Sequence, residues 1–145
     1  MVYAGRGLGC RIRTGDVEVA PALRDTPDLG QARVEMVNFD FWPTELVVAL
    51  HRATHAGGYV FGVAALLSGH TDAILIAGDE MGYEDLAPLP VIFAEAGARA
   101  TDLRGAPLLS GPRTALLSTG RFHDELLALT AQALRRPVNG SRAGS

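Results

Sequence analysis

The sequence predicts a layered α/β domain, and three observations predict it. From residue 32 onward, short runs of branched aliphatic residues alternate with longer stretches of helical periodicity. Two of those stretches, 60–68 and 86–96, are apolar almost all round, as helices packed against a sheet must be. Ahead of them, residues 1–22 carry period-two alternation between glycine turns, which reads as an antiparallel hairpin. The expected organisation is a hairpin over 1–22, an α/β body over 23–136 and a polar, disordered tail over 137–145.

Within the hairpin, Val2-Tyr3-Ala4 and Gly9-Cys10-Arg11-Ile12-Arg13 are extended, Thr14-Gly15-Asp16 is a turn, and Val17-Glu18-Val19-Ala20 alternates. Gly5-Arg6-Gly7-Leu8-Gly9 invites a nucleotide-loop reading, but no buried strand of ordinary length precedes it and no helical pattern follows. It therefore fails the context that a dinucleotide fingerprint needs, and a glycine turn is expected instead. This hairpin has no expected partner of its own within the chain.

A polar connection follows, with Thr26-Pro27-Asp28-Leu29 as a single helical turn, and then a strand over Ala32–Val37. Pro43 suits a first helical position because its missing N–H costs nothing there. Glu45 sits in the first turn of that helix, and Leu46, Val47, Leu50 and Ala53 form its apolar stripe up to His55. His51 and His55 stand four apart, a metal-ligand spacing, but Arg52 occupies the position where a zinc protease needs its glutamate. No third ligand follows, so solvated or helix-terminal histidines are expected.

Ala56-Gly57-Gly58 breaks the helix, Val60–Ser68 is the first buried helix, and Gly69 caps it. Thr71–Ala77 is the next strand. Leu86–Ala96 is the second buried helix, bent at Pro90. Arg99–Asp102 and Thr114–Ser118 are short strands around a Leu103–Pro107 turn. The closing helix, 121–135, opens acidic (Asp124, Glu125) and ends basic (Arg135), as the helix dipole prefers, with Phe122, Leu126, Leu129 and Ala133 on its buried face. Ser110-Gly111-Pro112 and Ser118-Thr119-Gly120 read as turns.

Composition bounds the function. The 145 residues, 48% apolar and 20% charged, are enough for one domain with a core. A net charge of −3 gives no bulk field for nucleic acid or anionic membrane. All 13 basic residues are arginine, which fits GC-rich coding. Cys10 is the lone cysteine, so no internal disulfide forms and a reducing, cytoplasmic setting is expected. No signal peptide is read at the N-terminus, and the longest apolar run, 59–67, is far short of the ~20 residues that span a bilayer.

Chemistry concentrates at one junction. The strand ending in Ala77 runs into Asp79, Glu80, Glu84 and Asp85, and then into a helix. Carboxylates grouped at such a junction suit a hard cation. The alternatives stay open: Asp85 as a helix cap worth about 1 kcal/mol, and Asp79, Glu80 and Glu84 as solvated loop.

These stretches, taken in order, resemble the C-terminal half of the inositol monophosphatase family of magnesium-dependent phosphatases, in its histidinol-phosphatase-like branch. Arg6-Gly7-Leu8-Gly9-Cys10 is similar to the family's glycine hairpin, and Ala64–Ala73 to its helix-to-strand segment. Glu80-Met81-Gly82 with Asp85-Leu86-Ala87 resembles its Trp-Asp-x-Ala region. Leu89–Gly97 leading to Thr101–Gly105 resembles the helix, strand and turn that follow, and Phe122–Leu127 its last helix.

The resemblance implies the C-terminal half of an inositol-monophosphatase-like sandwich, with the hairpin left from a missing N-terminal sheet. It implies that Asp85 ligates magnesium, that Glu80 contacts substrate hydroxyls, and that Gly57, Gly58 and Tyr59 line the substrate, a small phosphorylated molecule; packing is the plainer role for Tyr59. It implies either a homodimer or association with an N-terminal half.

The sequence also departs from the family pattern. Glu84 replaces an aromatic residue, Pro88 a small one and Ala98 a glycine, while Gly58 lacks a side-chain contact. The glutamate pair and the Asp-Pro-x-Asp-Gly-Thr motif, which supply the other metal ligands and the water-activating threonine, are absent from these 145 residues; the family places them before Met1. No catalytic residue is therefore expected here. The readings carried forward are a phosphatase half inactive alone, a non-catalytic binding or dimerisation module, and a truncated product with an exposed apolar face.

Overall fold

Two sheets organise the chain in the computed structural model, which describes residues 1–37, 42–57, 62–76, 82–111 and 113–135. The first is an antiparallel meander of β1 (Val2–Gly5), β2 (Gly9–Thr14) and β3 (Val17–Val19). The second has five strands in the order β5 (His55–Gly57), β4 (Arg33–Val37), β6 (Ala73–Ile76), β8 (Ala115–Ser118), β7 (Arg99–Thr101). In it β5, β4 and β6 run parallel, while β8 is antiparallel to both β6 and β7.

Successive residues of a strand face opposite sides of the sheet, and in β6 both sides are covered: all four residues are buried. Ala73 and Leu75 join Val34, Met36 and Leu116 under Leu46 and Leu50 of α1 (Thr44–Ala53) and Leu126 and Ala133 of α5 (His123–Arg135). Ile74 and Ile76 join Leu117 on the other side, with Leu66 and Leu67 of α2 (Val63–Leu67), Leu86 of α3 (Tyr83–Leu86), and Leu89 and Phe93 of α4 (Leu89–Ala96). Cys10 and Ile12 of β2 belong to that second core. The helix α4 thus lies between the two sheets, packed on β7 and on β1 and β2. Phe93, at its centre, is 1% exposed, and such burial contributes about 2–3 kcal/mol. The layered sandwich expected from the sequence is the observed architecture.

The small sheet therefore does have a partner within the chain, against expectation. Its alternation shows that one face is apolar, but only the fold shows that α4 covers it. Coverage stops at β3, where Val17 and Val19 share the face of Ile12 yet are 64% and 48% exposed.

The glycine turn has a definite task. The backbone N–H groups of Gly7 and Gly9 donate to the two carboxylate oxygens of Glu95 on α4, at 2.7 and 2.9 Å. Both glycines are left-handed (φ 75° and 81°), a conformation that costs other residues 1–2 kcal/mol or so. Successive amides in such a turn make a concave anion seat, and here the protein's own carboxylate fills it. Those two bonds hold Glu95 below the usual carboxylate range.

The connection over 20–32 is pinned by Asp72, at 2% exposure just ahead of β6. Its Oδ1 accepts from the Thr26 hydroxyl at 2.6 Å, and its Oδ2 from Arg24 Nε at 3.0 Å and the Arg33 backbone N–H at 2.8 Å. The single helical turn expected near 26–29 lies slightly later, as a 3-10 turn over Leu29–Gln31 capped by Asp28.

Three helix assignments change. The helix after Pro43 stops at Ala53 instead of reaching His55: Thr54 is extended, its hydroxyl donates to the Leu50 carbonyl, and His55 opens β5. His51 and His55 consequently do not share a helix. The stretch 86–96 is two helices, because the break falls ahead of Pro88 and Pro90 takes a first-turn position where no N–H is needed. Of the stretch 60–68, a five-residue helix is described, with Leu66 and Leu67 buried and Ala64 exposed, and with Gly69 left-handed behind it. The tail 137–145 lies outside the described residues.

Candidate functional site

The parallel strands β5, β4 and β6 present their carboxyl ends at one edge of the large sheet, the edge at which ligands bind in open α/β sheets. Gly57, the last residue of β5, is there, half-buried and paired with Glu35 of β4. From β6 the chain continues to α3, which carries Asp85. Gly58, Tyr59 and Glu80, the other sequence candidates, lie outside the described residues, as does Asp79.

Asp85 is exposed and stands at the third position of the one-turn helix α3. Its Oδ2 accepts the backbone N–H of Gly82 at 2.9 Å, closing the turn. The capping reading thus describes one of its oxygens; among the described residues the other has no hydrogen-bond partner. Tyr83 and Glu84 beside it are also exposed, so α3 buries Leu86 alone. The helix at this junction is shorter and more open than its apolar sequence predicts.

A magnesium ion takes hard oxygen ligands in octahedral geometry, with carboxylates supplemented by water and substrate. Asp85 has the right donor chemistry. Among the described residues, however, no three His, Cys, Asp or Glu side chains cluster to hold a metal ion. These residues alone do not make a magnesium site, and no catalytic step is derived through one.

The structure adds a carboxyl that sequence reasoning missed. Glu35 lies between Gly57 and Ile74 in the sheet register and is 2% exposed. Burial pushes its pKa up to about 7, so it exchanges a proton near neutral pH, as groups at functional sites often do. The available signal was a lone acid inside Val34-Glu35-Met36-Val37, part of the expected strand and buried on both faces.

A second polar cluster lies under α5. His123 is fully buried, with Nδ1 2.7 Å from Ser118 Oγ and Nε2 2.9 Å from Thr101 Oγ1. The Thr101 hydroxyl donates to the Asp102 carbonyl at 2.8 Å, so toward His123 it accepts. Nε2 therefore carries the proton, and Ser118 donates to Nδ1 while its oxygen accepts the Gly120 N–H at 3.0 Å. Every hydrogen in the chain of bonds has one place to go. Burial, with Arg99 nearby, pulls the His123 pKa down to about 4. Ser118 ends β8 and is not a turn residue, but this serine–histidine pair is sealed from substrate and serves the fold. Burial also pushes the Cys10 thiol up, which leaves it unreactive.

No described helix is long and apolar enough to cross a membrane. No protein-family model matches the sequence, and no curated protein does. Solved structures do match. An inositol monophosphatase from Anabaena (Nostoc) is 19% identical with a TM-score of 0.72, over 90% of this chain and 54% of its own. SuhB of Mycobacterium tuberculosis is 21% identical with a TM-score of 0.71, over 91% of this chain and 54% of its own. Inositol monophosphatase II of Staphylococcus aureus is 22% identical with a TM-score of 0.63, over 93% and 55%. The chain spans about half the length of the structures it matches. It carries a partial inositol monophosphatase fold.

Proposed function

We propose that this chain is the C-terminal half of a magnesium-dependent phosphomonoesterase of the inositol monophosphatase or histidinol-phosphatase type, acting on a small polyol or amino-alcohol phosphate. The observation that carries the reading is the asymmetry of the match: nine-tenths of this chain superposes on half of a phosphatase. Asp85 then contributes one carboxylate to a cation held mainly by residues outside this sequence. Glu80 contacts a substrate hydroxyl, and Gly57, Gly58 and Tyr59 line the pocket. The open edge at β3, with Val17 and Val19 uncovered beside buried Ile12, is where the small sheet continues into the remaining half.

Alone, the chain is inactive on this reading, since one aspartate cannot both fix a metal and activate water. The test is turnover of inositol monophosphate and histidinol phosphate by the purified 145-residue chain with magnesium. Phosphate release at the level of the buffer blank is expected. Release that Asp85→Ala abolishes would overturn the claim of inactivity.

The same uncovered β3 edge favours a second reading, a non-catalytic module that keeps the pocket or an association surface. Calorimetric titration with a phosphorylated polyol, with and without magnesium, separates the two: binding without magnesium supports the module, and no binding in either condition supports a phosphatase half whose cation site these residues do not complete.

A further inference from the structure

The amino ends of the parallel strands hold a different kind of surface. A groove of about 540 Å3 opens there, lined by Arg24, Gln31, Arg33 and His55. Arg33 and His55 are register partners on adjacent parallel strands, so their side chains leave the sheet next to each other on one face. Every lining residue offers N–H donors, and none is acidic.

We propose that this groove binds a phosphate-type oxyanion, at a site separate from the carboxyl-end site and independent of the phosphatase reading. The arrangement is built, not merely basic. Arg24 is held by its Nε, which donates to Thr26 Oγ1 at 2.9 Å and to Asp72 Oδ2 at 3.0 Å, with the side chain 30% exposed. That fixes the guanidinium while leaving its two terminal nitrogens without partners among the described residues. Asp72, which contacts Arg24 and the Arg33 backbone, is buried and already accepts from Thr26, Arg24 and the Arg33 backbone, so it does not quench the groove. Asp28 accepts from the backbone of Gln31, Asp25 pairs with Arg121 at 3.0 Å, and Glu35, next on the Arg33 face, is buried. Among the described residues, the Arg33 guanidinium, the His55 ring and the Gln31 amide have no hydrogen-bond partner. Two guanidinium forks, an imidazole and an amide converge on a space of small-ligand size. Guanidinium forks match the paired oxygens of phosphate, and a fixed fork loses less freedom on binding than a mobile one.

Titration of inorganic phosphate into the full 145-residue chain, followed by two-dimensional amide NMR, tests the proposal. Saturable shifts centred on Gln31, Arg33 and His55 are expected, with at least about tenfold weaker binding in the Arg33→Ala/His55→Ala variant, since bonds to charged groups are the stronger class. Arg33→Gln alone, which spares every bond of Asp72, is expected to weaken binding in the same direction and serves if the double variant does not fold. Sodium chloride at matched ionic strength is expected not to reproduce the shifts. Shifts that chloride reproduces, that survive both variants, or that centre on Gly82–Leu86 would overturn it.

Discussion

The strand β6 stands between two aspartates that the fold treats in opposite ways. Asp72, immediately before it, is 2% exposed and accepts from two side chains and a backbone amide. Asp85, on the helix that follows it, is exposed and accepts from one backbone amide of its own turn. A buried carboxylate with its oxygens satisfied is bound into the structure and has nothing left for a ligand. An exposed one with an oxygen free has little to give the fold and can accept a cation or a donor from outside. The contrast separates residues that hold the protein together from residues that remain available for chemistry.

The sharpest way to break that contrast is to remove Asp72. Asp72→Ala leaves the Thr26 hydroxyl, the Arg24 guanidinium and the Arg33 amide without their shared acceptor and releases the 20–32 connection from β6. Three donors lose a charged acceptor, at about 1.5 kcal/mol or more for each bond to a charged group, so the cost is about 4 kcal/mol. Urea denaturation followed by circular dichroism checks it, and a loss below about 1 kcal/mol would mean that Asp72 is as peripheral as Asp85.

A somewhat smaller effect concerns the two buried groups whose proton affinities the fold displaces in opposite directions. His123 has its folded pKa lowered to about 4 from 6.5. Its neutral form is the stabilising one, so its contribution is full above 6.5 and is lost as pH falls toward 4. Glu35 has its folded pKa raised to about 7 from 4.5. Its protonated form is the stabilising one, so its contribution is full below 4.5 and is lost as pH rises through 7. Each amounts to about 3 kcal/mol at most, and between pH 4.5 and 6.5 the two slopes cancel. Glu35→Gln removes one of them. Its unfolding free energy should climb by about 3 kcal/mol between pH 4 and 6.5, where the parent protein is nearly flat. Parallel profiles for the two proteins would show that burial displaces neither group as described.

Much of this fold was legible. Period-two alternation located β3 and β4, and short extended or apolar runs located β1, β2, β6, β7 and β8, because residue patterning and glycine punctuation are local properties of the chain. The helix ends were less so. Thr54 ends α1 with a hydroxyl bond to Leu50 that an isolated Arg-Ala-Thr-His sequence does not announce. The break ahead of Pro88 was hidden by the apolar residues on both sides of it. The site residues show the deeper limit. Asp85 drew attention because it sits in an acidic run, which is a property of sequence. Asp72 sits at the start of the expected strand Thr71–Ala77, with nothing local to mark it until Arg24 and Thr26, more than forty residues earlier, are brought against it. His123 looked like a first-turn helix residue, and only the pairing of β7 with β8 places Thr101 and Ser118 on either side of its ring. Acids and histidines that the fold has consumed are found through distant partners, while those left available stand out locally.

The smallest expected effect therefore falls on the residue that the sequence made most conspicuous. Asp85→Asn keeps the size of the side chain and a carbonyl oxygen that can still accept from Gly82, and it removes only the charge beside a one-turn helix. Such a cap is worth about 1 kcal/mol when deleted outright, and the asparagine retains most of it. The change in unfolding free energy should stay within about 0.5 kcal/mol, measured against Asp72→Asn in the same buffer, where the loss of charge faces Arg24 in a buried setting. Equal losses at the two positions would make Asp85 a structural residue and would remove the reason for assigning it to a ligand. Near-neutrality at Asp85 with a large loss at Asp72 leaves that carboxylate free for a cation.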